Sequence, residues 1–358
     1  MKTILLNPGP VTLSETVRAA LLRPDLCHRE PEFATLQQGL REKLLEVYDL
    51  AGDTWAATLL TGSGTAAVEA MLISLMPAEG AMLVIENGVY GERMLAIAHA
   101  YGIPALGLSH AWAEAIDLER VHAALDENPQ ITHVAVVHHE TTTGRLNDLH
   151  ELAATCRERG LWLLVDAVSS FGAEALDFAE WPLAACAATA NKCLHGVPGT
   201  SFVIARRERL ARGAKRGMYL DLSRYLAQQD AGGTPFTQSV QTFYALDAAL
   251  DEFFAGGGLA ARHALYAGRI GRVRRTLLEL GVSALLPEGD CSCVLQAFEL
   301  PAGTDYAALH DALKARGFVI YAGQGRLASR IFRISTMGEV GESDLERLCA
   351  AFEAFFAA

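Results

Sequence analysis

No stretch of this 358-residue chain approaches the roughly 20 consecutive apolar residues that a membrane-spanning helix needs. The first residues, Met1-Lys-Thr-Ile-Leu-Leu-Asn-Pro8, hold only a short apolar run before Asn7 and Pro8, too short for a secretory signal. The expectation is a cytoplasmic protein with no membrane partner. Positive charge is also in short supply: 30 Lys and Arg face 42 Asp and Glu, for a formal charge of −12, and the basic residues are scattered. Binding to a phosphate backbone needs a clustered basic footprint, so nucleic acid is not an expected partner. The seven cysteines are an odd set without matched CxxC pairs, which argues for reduced, mostly buried thiols and against a disulfide framework. Cys291 and Cys293, two apart, would share one face of a strand. No His or carboxylate cluster beside them completes a metal site, so no metal is expected. Internal repeats and linker-like tracts are missing too.

What is present is enough apolar material, 51% of the residues, for a large core in one or two domains. From Thr58 to about Ala205, short apolar runs alternate with helix-length segments. The runs are Met82–Ile85, His133–Val137, Leu161–Val165 and Ser201–Ile204. This rhythm predicts an α/β domain whose mainly parallel sheet is buried on both faces, with ligands bound beyond the carboxyl ends of its strands. Amphipathic helices are expected over Thr35–Val47 and over Thr242–Phe254, the latter ending at Gly256-Gly-Gly258. An Arg-rich helix over Leu259–Leu280 should turn its basic face to solvent or to an interface. A smaller α+β portion follows, with strands at Cys293–Glu299, Val319–Tyr321 and Ile331–Ser335, a helix at Tyr306–Arg316 and a closing helix from Ser343. The expected division is a large domain over residues 15–257 and a small one formed by 1–14 with 258–358.

Polar residues follow several of these runs. Asp166 ends Leu-Leu-Val-Asp, where a buried carboxylate is costly without a partner; a protonated pyridine nitrogen would serve, and so would the cap of a following helix through Ser169 or Ser170. Lys192 stands between a small apolar run and the loop Gly196-Val-Pro-Gly199, where a desolvated amine can form an imine; a surface lysine is the plainer reading. Together, on successive strand ends, Asp166 and Lys192 suit the two sides of a pyridoxal ring. Gly62-Ser63-Gly64-Thr65 opens a helix after an apolar run and suits an anion, although a tight turn explains it as well. Tyr90 can stack on a ring or sit in a core. His138-His-Glu-Thr141-Thr142-Thr-Gly144 concentrates imidazoles and hydroxyls at a strand end. Adjacent residues of a strand face opposite ways, so hydrogen bonding to a cofactor's phenolic oxygen is favoured over a His138/His139 metal site.

In this order these residues resemble the class V group of fold-type I pyridoxal-phosphate enzymes, from Asn7-Pro-Gly-Pro10 to Phe332-Arg333-Ile-Ser-Thr-Met-Gly-Glu339. His-Glu-Thr-Thr-Thr-Gly, the block at 165–172, Ala-Asn-Lys-Cys at 190–193 and Gly-Phe-Val-Ile-Tyr at 317–321 carry the likeness. It implies a seven-stranded sheet in the large domain, pyridoxal 5'-phosphate as cofactor, and a homodimer with shared active sites. By position, Lys192 would hold the cofactor as a Schiff base and transfer protons, and Asp166 would pair with the pyridinium. Ser63, Gly64, Thr65, Tyr90, Thr141, Thr142 and Val168 would bind the cofactor, and Thr237 would reach the phosphate in the neighbouring subunit. Arg333, Gly9, His28 and Arg29 would meet the substrate. The blocks are most similar to the branch that moves the amino group of 2-aminoethylphosphonate to pyruvate. Two segments depart from that branch. Cys27-His-Arg-Glu-Pro-Glu-Phe33 is closer to alanine– and serine–glyoxylate aminotransferases, which makes those reactions, or a related aminophosphonate, the alternative. Tyr321-Ala-Gly-Gln324 replaces a Tyr-Pro-Gly-Lys block. A binding protein that kept the fold and lost its chemistry would have replaced Lys192, which is present.

Overall fold

A computed structural model describes residues 2–356. Seven strands form the central sheet: β1 (Trp55–Gly62), β2 (Ala81–Glu86), β3 (Ala105–Ser109), β4 (Ile131–Val137), β5 (Trp162–Asp166), β6 (Leu183–Thr189) and β7 (Gly199–Arg206). Their order across the sheet is β1-β7-β6-β5-β4-β2-β3. Only β7 runs against its neighbours; the pairs from β6 to β3 are parallel. The sheet is thus the mainly parallel, seven-stranded one expected.

Side chains of a strand alternate between faces, and here both faces are buried. Leu83, Ile85, Val134, Val136, Leu163 and Val165 enter one core under the helices Pro31–Glu46 and Val240–Ala255. Met82, Val84, Ala135, Val137 and Leu164 enter the other, under Gly64–Leu75 and Val89–Ala100. That is why these strands read as unbroken apolar runs in the sequence. Helix Pro31–Glu46 begins four residues before the expected Thr35, because Pro31 occupies the first turn, where its missing N–H costs nothing.

The C-terminal portion packs a three-stranded antiparallel sheet (Leu295–Glu299, Ile331–Ser335, Tyr321–Ala322) against helices Gly258–Glu279, Tyr306–Ala315 and Glu342–Phe356. The N-terminal strand Ile4–Leu5 pairs with Phe318–Val319, and Ile4 and Leu6 are buried in the same core. Three expectations are corrected. The strand expected at Val319–Tyr321 is two short strands parting at Ile320, one serving the N-terminus and one the antiparallel sheet. The strand at 293–299 begins only at Leu295, so Cys291 and Cys293 precede it. The third concerns the arginines of Gly258–Glu279, which are not simply solvated: Arg262 donates to Cys193 O, Arg269 to Thr336 O and Gly338 O, and buried Arg274 to Leu286 O and Gln296. Loop and turn carbonyls and, for Arg274, the Gln296 side chain accept from them.

Candidate active site

The carboxyl ends of β1, β2, β4, β5 and β6 meet at one edge of the sheet, and the polar residues that follow them gather there. A small cavity is lined by Tyr90, Val137, His139, Thr141, Asp166, Val168, Ser169 and Lys192. The larger hollow beside Tyr48 and Phe178 is lined mainly by apolar side chains.

Asp166 ends β5 with its carboxyl fully enclosed; Oδ1 accepts from Val168 N at 2.9 Å. This short turn, rather than a helix cap on Ser169 or Ser170, is its local role. Burial pushes the carboxyl up to about 6, against the pull of the Val168 N–H, Arg93 and Lys192. Lys192 follows β6 in a tight loop. Its ammonium donates to Pro8 O, and a Cβ on Gly9, itself at φ +116°, would lie 2.7–2.9 Å from the lysine side chain. The Asn-Pro-Gly-Pro segment therefore lies directly on Lys192, which requires glycine at position 9. Burial drives the Lys192 amine down to about 8.

Helix Gly64–Leu75 opens at the carboxyl end of β1. Ser63 takes the N-cap backbone conformation without a side-chain cap bond, so its hydroxyl stays available. A Cβ on Gly64 would stand 2.7 Å from Val168 and 3.4 Å from Thr189, so only glycine lets the helix start come this close to the cavity wall. Thr65 accepts from Arg93, whose guanidinium lies 4.7 Å over the Tyr90 ring. Arg93 is a residue that sequence reasoning missed; its one signal is a position three after Tyr90 on the same helix, hence on the same face.

The two histidines after β4 do face opposite ways. His138 turns to Ser170 and the edge of Trp181. His139 lines the cavity: Nδ1 meets Ser169 O at 3.1 Å, and Nε2 is buried without a partner. A carbonyl only accepts, so Nδ1 carries the proton and Nε2 is left as an acceptor. Burial holds both rings down near 4, hence neutral. Thr141 lines the cavity, whereas the Thr142 hydroxyl is committed to Glu140 and to Val89 N. Glu140, raised to about 7 by burial, also accepts from Tyr90 N and so ties the two strand-end loops together.

Arg333 reaches this edge from the small sheet. It is buried, donating to Ala322 O, Thr141 O and Gln324 Oε1 at 2.9, 2.9 and 3.2 Å, and it is shifted below the usual arginine range by burial. Gln324, in the segment that departs from the family block, is thus a direct partner of Arg333. Thr237 is exposed, Arg29 is exposed and His28 half-buried; none of the three lines this chain's own cavity. One expectation about metals is corrected: Cys293 does have a His and a carboxylate beside it. Glu174 and His263 come from segments 119 and 30 residues away, so no spacing in the sequence announced them.

A lysine and a carboxylate line the strand-end cavity of this sheet, and an arginine reaches the same edge. The family model "Aminotransferase class-V" matches residues 17–333, and the chain belongs to that family of enzymes. It is similar to the 2-aminoethylphosphonate–pyruvate transaminase of Syntrophobacter fumaroxidans, 39% identical over 354 residues, covering 97% of this chain and 95% of that one. Among solved structures, a subgroup IV aspartate aminotransferase from Thermus thermophilus superposes with a TM-score of 0.90 at 30% identity, covering 99% of each chain. An alanine–glyoxylate aminotransferase from Nostoc sp. gives 0.91 at 26%, covering 99% of this chain and 95% of that one. No helix among the described residues is long and apolar enough to cross a membrane.

Proposed function

We propose that this chain is a pyridoxal-phosphate transaminase that moves the amino group of 2-aminoethylphosphonate to pyruvate, releasing phosphonoacetaldehyde and alanine in two half-reactions. The observation that carries the proposal is the convergence of half-buried Lys192 and buried Asp166 on one cavity in a chain 39% identical to a transaminase of that name. The residues fit the cofactor. The cavity has an aromatic side chain and a valine in its lining, a carboxylate at a strand end and an unpartnered imidazole nitrogen, and Gly64 keeps the helix start close to it.

When bound, pyridoxal phosphate supplies an aldehyde for the amino group and a cationic ring that accepts the electrons released at the substrate carbon. Lys192 Nζ would hold the aldehyde carbon and then move a proton from the amino-bearing carbon of the substrate. Asp166, with one oxygen fixed by Val168, would keep the ring nitrogen protonated. Ser63, Gly64 and Thr65 would take the phosphate at the helix start. Tyr90, Thr141 and Val168 would border the ring, with Thr142 fixing the loop that carries Thr141. In a homodimer, exposed Thr237 would reach the phosphate in the neighbouring subunit, and His28 and Arg29 would meet substrate from across that boundary. Gly9 makes room above Lys192. All seven cysteines are free thiols, which supports a cytoplasmic setting.

Arg333 would seat the acidic group of donor and acceptor alike, since a guanidinium fork matches carboxylate and phosphonate. Replacing Arg333 with Ala is expected to lower kcat/KM about 100- to 1000-fold for both substrates. A loss confined to one of them in steady-state kinetics would show that the two acids have separate seats.

Lys192 also sets a pH dependence. Only the neutral amine attacks an aldehyde, so uptake of the cofactor by cofactor-free protein should quicken about tenfold per pH unit, level off near 8, and not climb on toward the 10.5 of an ordinary lysine. Rapid-mixing absorbance over pH 6–11 checks this.

The substrate is tested by mixing the holoenzyme separately with 2-aminoethylphosphonate, alanine and serine and following the absorbance of the lysine-bound cofactor. Loss of that band with the phosphonate, and its return on adding pyruvate, is the expected result. Conversion by alanine and serine but not by the phosphonate would replace this reading with a glyoxylate-type aminotransferase, the activity in the name of the Nostoc structure.

A further inference from the structure

Glu174, His263 and Cys293 come together from three separate segments: the turns after β5, the first turns of helix Gly258–Glu279, and the approach to strand Leu295–Glu299. Their candidate ligand atoms all lie within 4.8 Å of one another. Cys293 Sγ is 3.5 Å from His263 Nδ1, and His263 Nδ1 is 3.4 Å from a Glu174 oxygen. A tetrahedral zinc with Zn–S of about 2.3 Å and Zn–N and Zn–O of about 2.0–2.1 Å has S–N edges of about 3.5 Å and N–O edges of about 3.3 Å. These two edges match those of such a tetrahedron.

The carboxylate is held in place by its other oxygen. Glu174 Oε1 accepts from Ser292 Oγ at 2.6 Å and from Cys293 N at 2.8 Å, and Oε2 faces the imidazole. Such outer hydrogen bonds are what orient the carboxylate ligands of metal sites. Glu174 and Cys293 are buried while the His263 side chain is 51% exposed, so the fourth position opens toward water. Mixed thiolate, imidazole and carboxylate donors suit zinc and cobalt rather than calcium or magnesium.

We propose that Glu174, His263 and Cys293 form a binding site for a zinc-class divalent cation, separate from the Lys192 cavity, with water as fourth ligand. Binding replaces existing interactions in a balanced way. His263 Nδ1 lies 3.0 Å from Ala173 O, which only accepts, so the metal-free ring carries its proton on Nδ1. That proton shifts to Nε2 as Nδ1 becomes a ligand, and the Cys293 thiol loses its proton to solvent. One proton therefore leaves per cation bound, and affinity rises with pH. The cation would join the loop after β5 to the C-terminal portion. One residue before His263, Arg262 holds Cys193 O in the Lys192 loop, so the site braces the wall behind the catalytic lysine.

The test uses the holoenzyme stripped of metal with a chelator and titrated with Zn²⁺ by equilibrium dialysis, and with Co²⁺ by difference absorbance. The expected result is one Zn²⁺ per chain and a cobalt–thiolate charge-transfer band. His263→Ala, at a half-exposed position that does not threaten folding, should weaken binding at least about tenfold. Cys293→Ser should remove the band, and Cys291→Ser should keep it. Cation binding that is equal in wild type and His263→Ala, or a band that survives Cys293→Ser, overturns the proposal; so does the lack of any binding. Circular dichroism of each variant separates loss of ligand from loss of fold.

Discussion

Lys192→Ala is expected to lower turnover about ten-thousand-fold or more while leaving a folded protein that still takes up the cofactor without a covalent bond. Acid–base transfer by a positioned group contributes about 100- to 10,000-fold, and Lys192 would also be the covalent anchor, so both contributions disappear together. Folding should tolerate the change. The ammonium is already a burden in this enclosure, as its descent to about 8 shows, and its direct hydrogen-bond partner is the Pro8 carbonyl. The measurement is kcat for the variant beside its cofactor spectrum: the band of lysine-bound cofactor should vanish while dialysis still retains the cofactor. A small added amine should return part of the rate. A variant that transaminates normally would remove Lys192 from the reaction and, with it, the functional assignment.

The second large effect is at Asp166. Asparagine keeps the size and can still accept from Val168 N, but it cannot hold a ring nitrogen in its cationic form. Breaking a buried charge pair from one side typically costs about 3–5 kcal/mol, which places the expected loss of kcat at about 100- to 5000-fold. Stability of the cofactor-free protein should move the other way. The folded carboxyl titrates near 6 and the unfolded one near 3.8. Folding therefore favours the protonated form, and stability is fully present below 3.8 and is lost as pH rises through 6. The difference amounts to about 3 kcal/mol at most. Cofactor-free Asp166→Asn should thus be more stable than wild type at pH 8, with the gap closing toward pH 4, in denaturant unfolding. A variant less stable at both pH values would show that the carboxylate serves the fold instead.

The central sheet was legible because burial on both faces leaves uninterrupted apolar runs, and the parallel strands β2, β4 and β5 and the antiparallel β7 all announce themselves this way. Asp166, Lys192, Thr141 and Tyr90 were legible for a related reason: each follows a strand, and the carboxyl ends of parallel strands share an edge. What stayed hidden depends on tertiary pairing. Arg93 and Gln324 matter through contacts with Thr65 and Arg333 that no local pattern encodes. The same holds for the inward arginines of helix Gly258–Glu279, whose partners are mostly backbone carbonyls, and a carbonyl has no residue letter. Glu174, His263 and Cys293 are the extreme case, since three unremarkable letters become a cluster only when three segments fold together.

Residues Ile4 to Thr12 tie the C-terminal portion to the Lys192 loop. Ile4–Leu5 finds its strand partner at Phe318–Val319, Leu6 O accepts from Ser335 N, and Glu339 N donates to Thr12 O, while Pro8 O meets Lys192. The cover over Lys192 is thus held in place from the C-terminal portion, which also supplies Arg333. Loosening strand Ile331–Ser335 would unseat Pro8, Gly9 and Arg333 together, so the lid of the pocket and its guanidinium share one anchor.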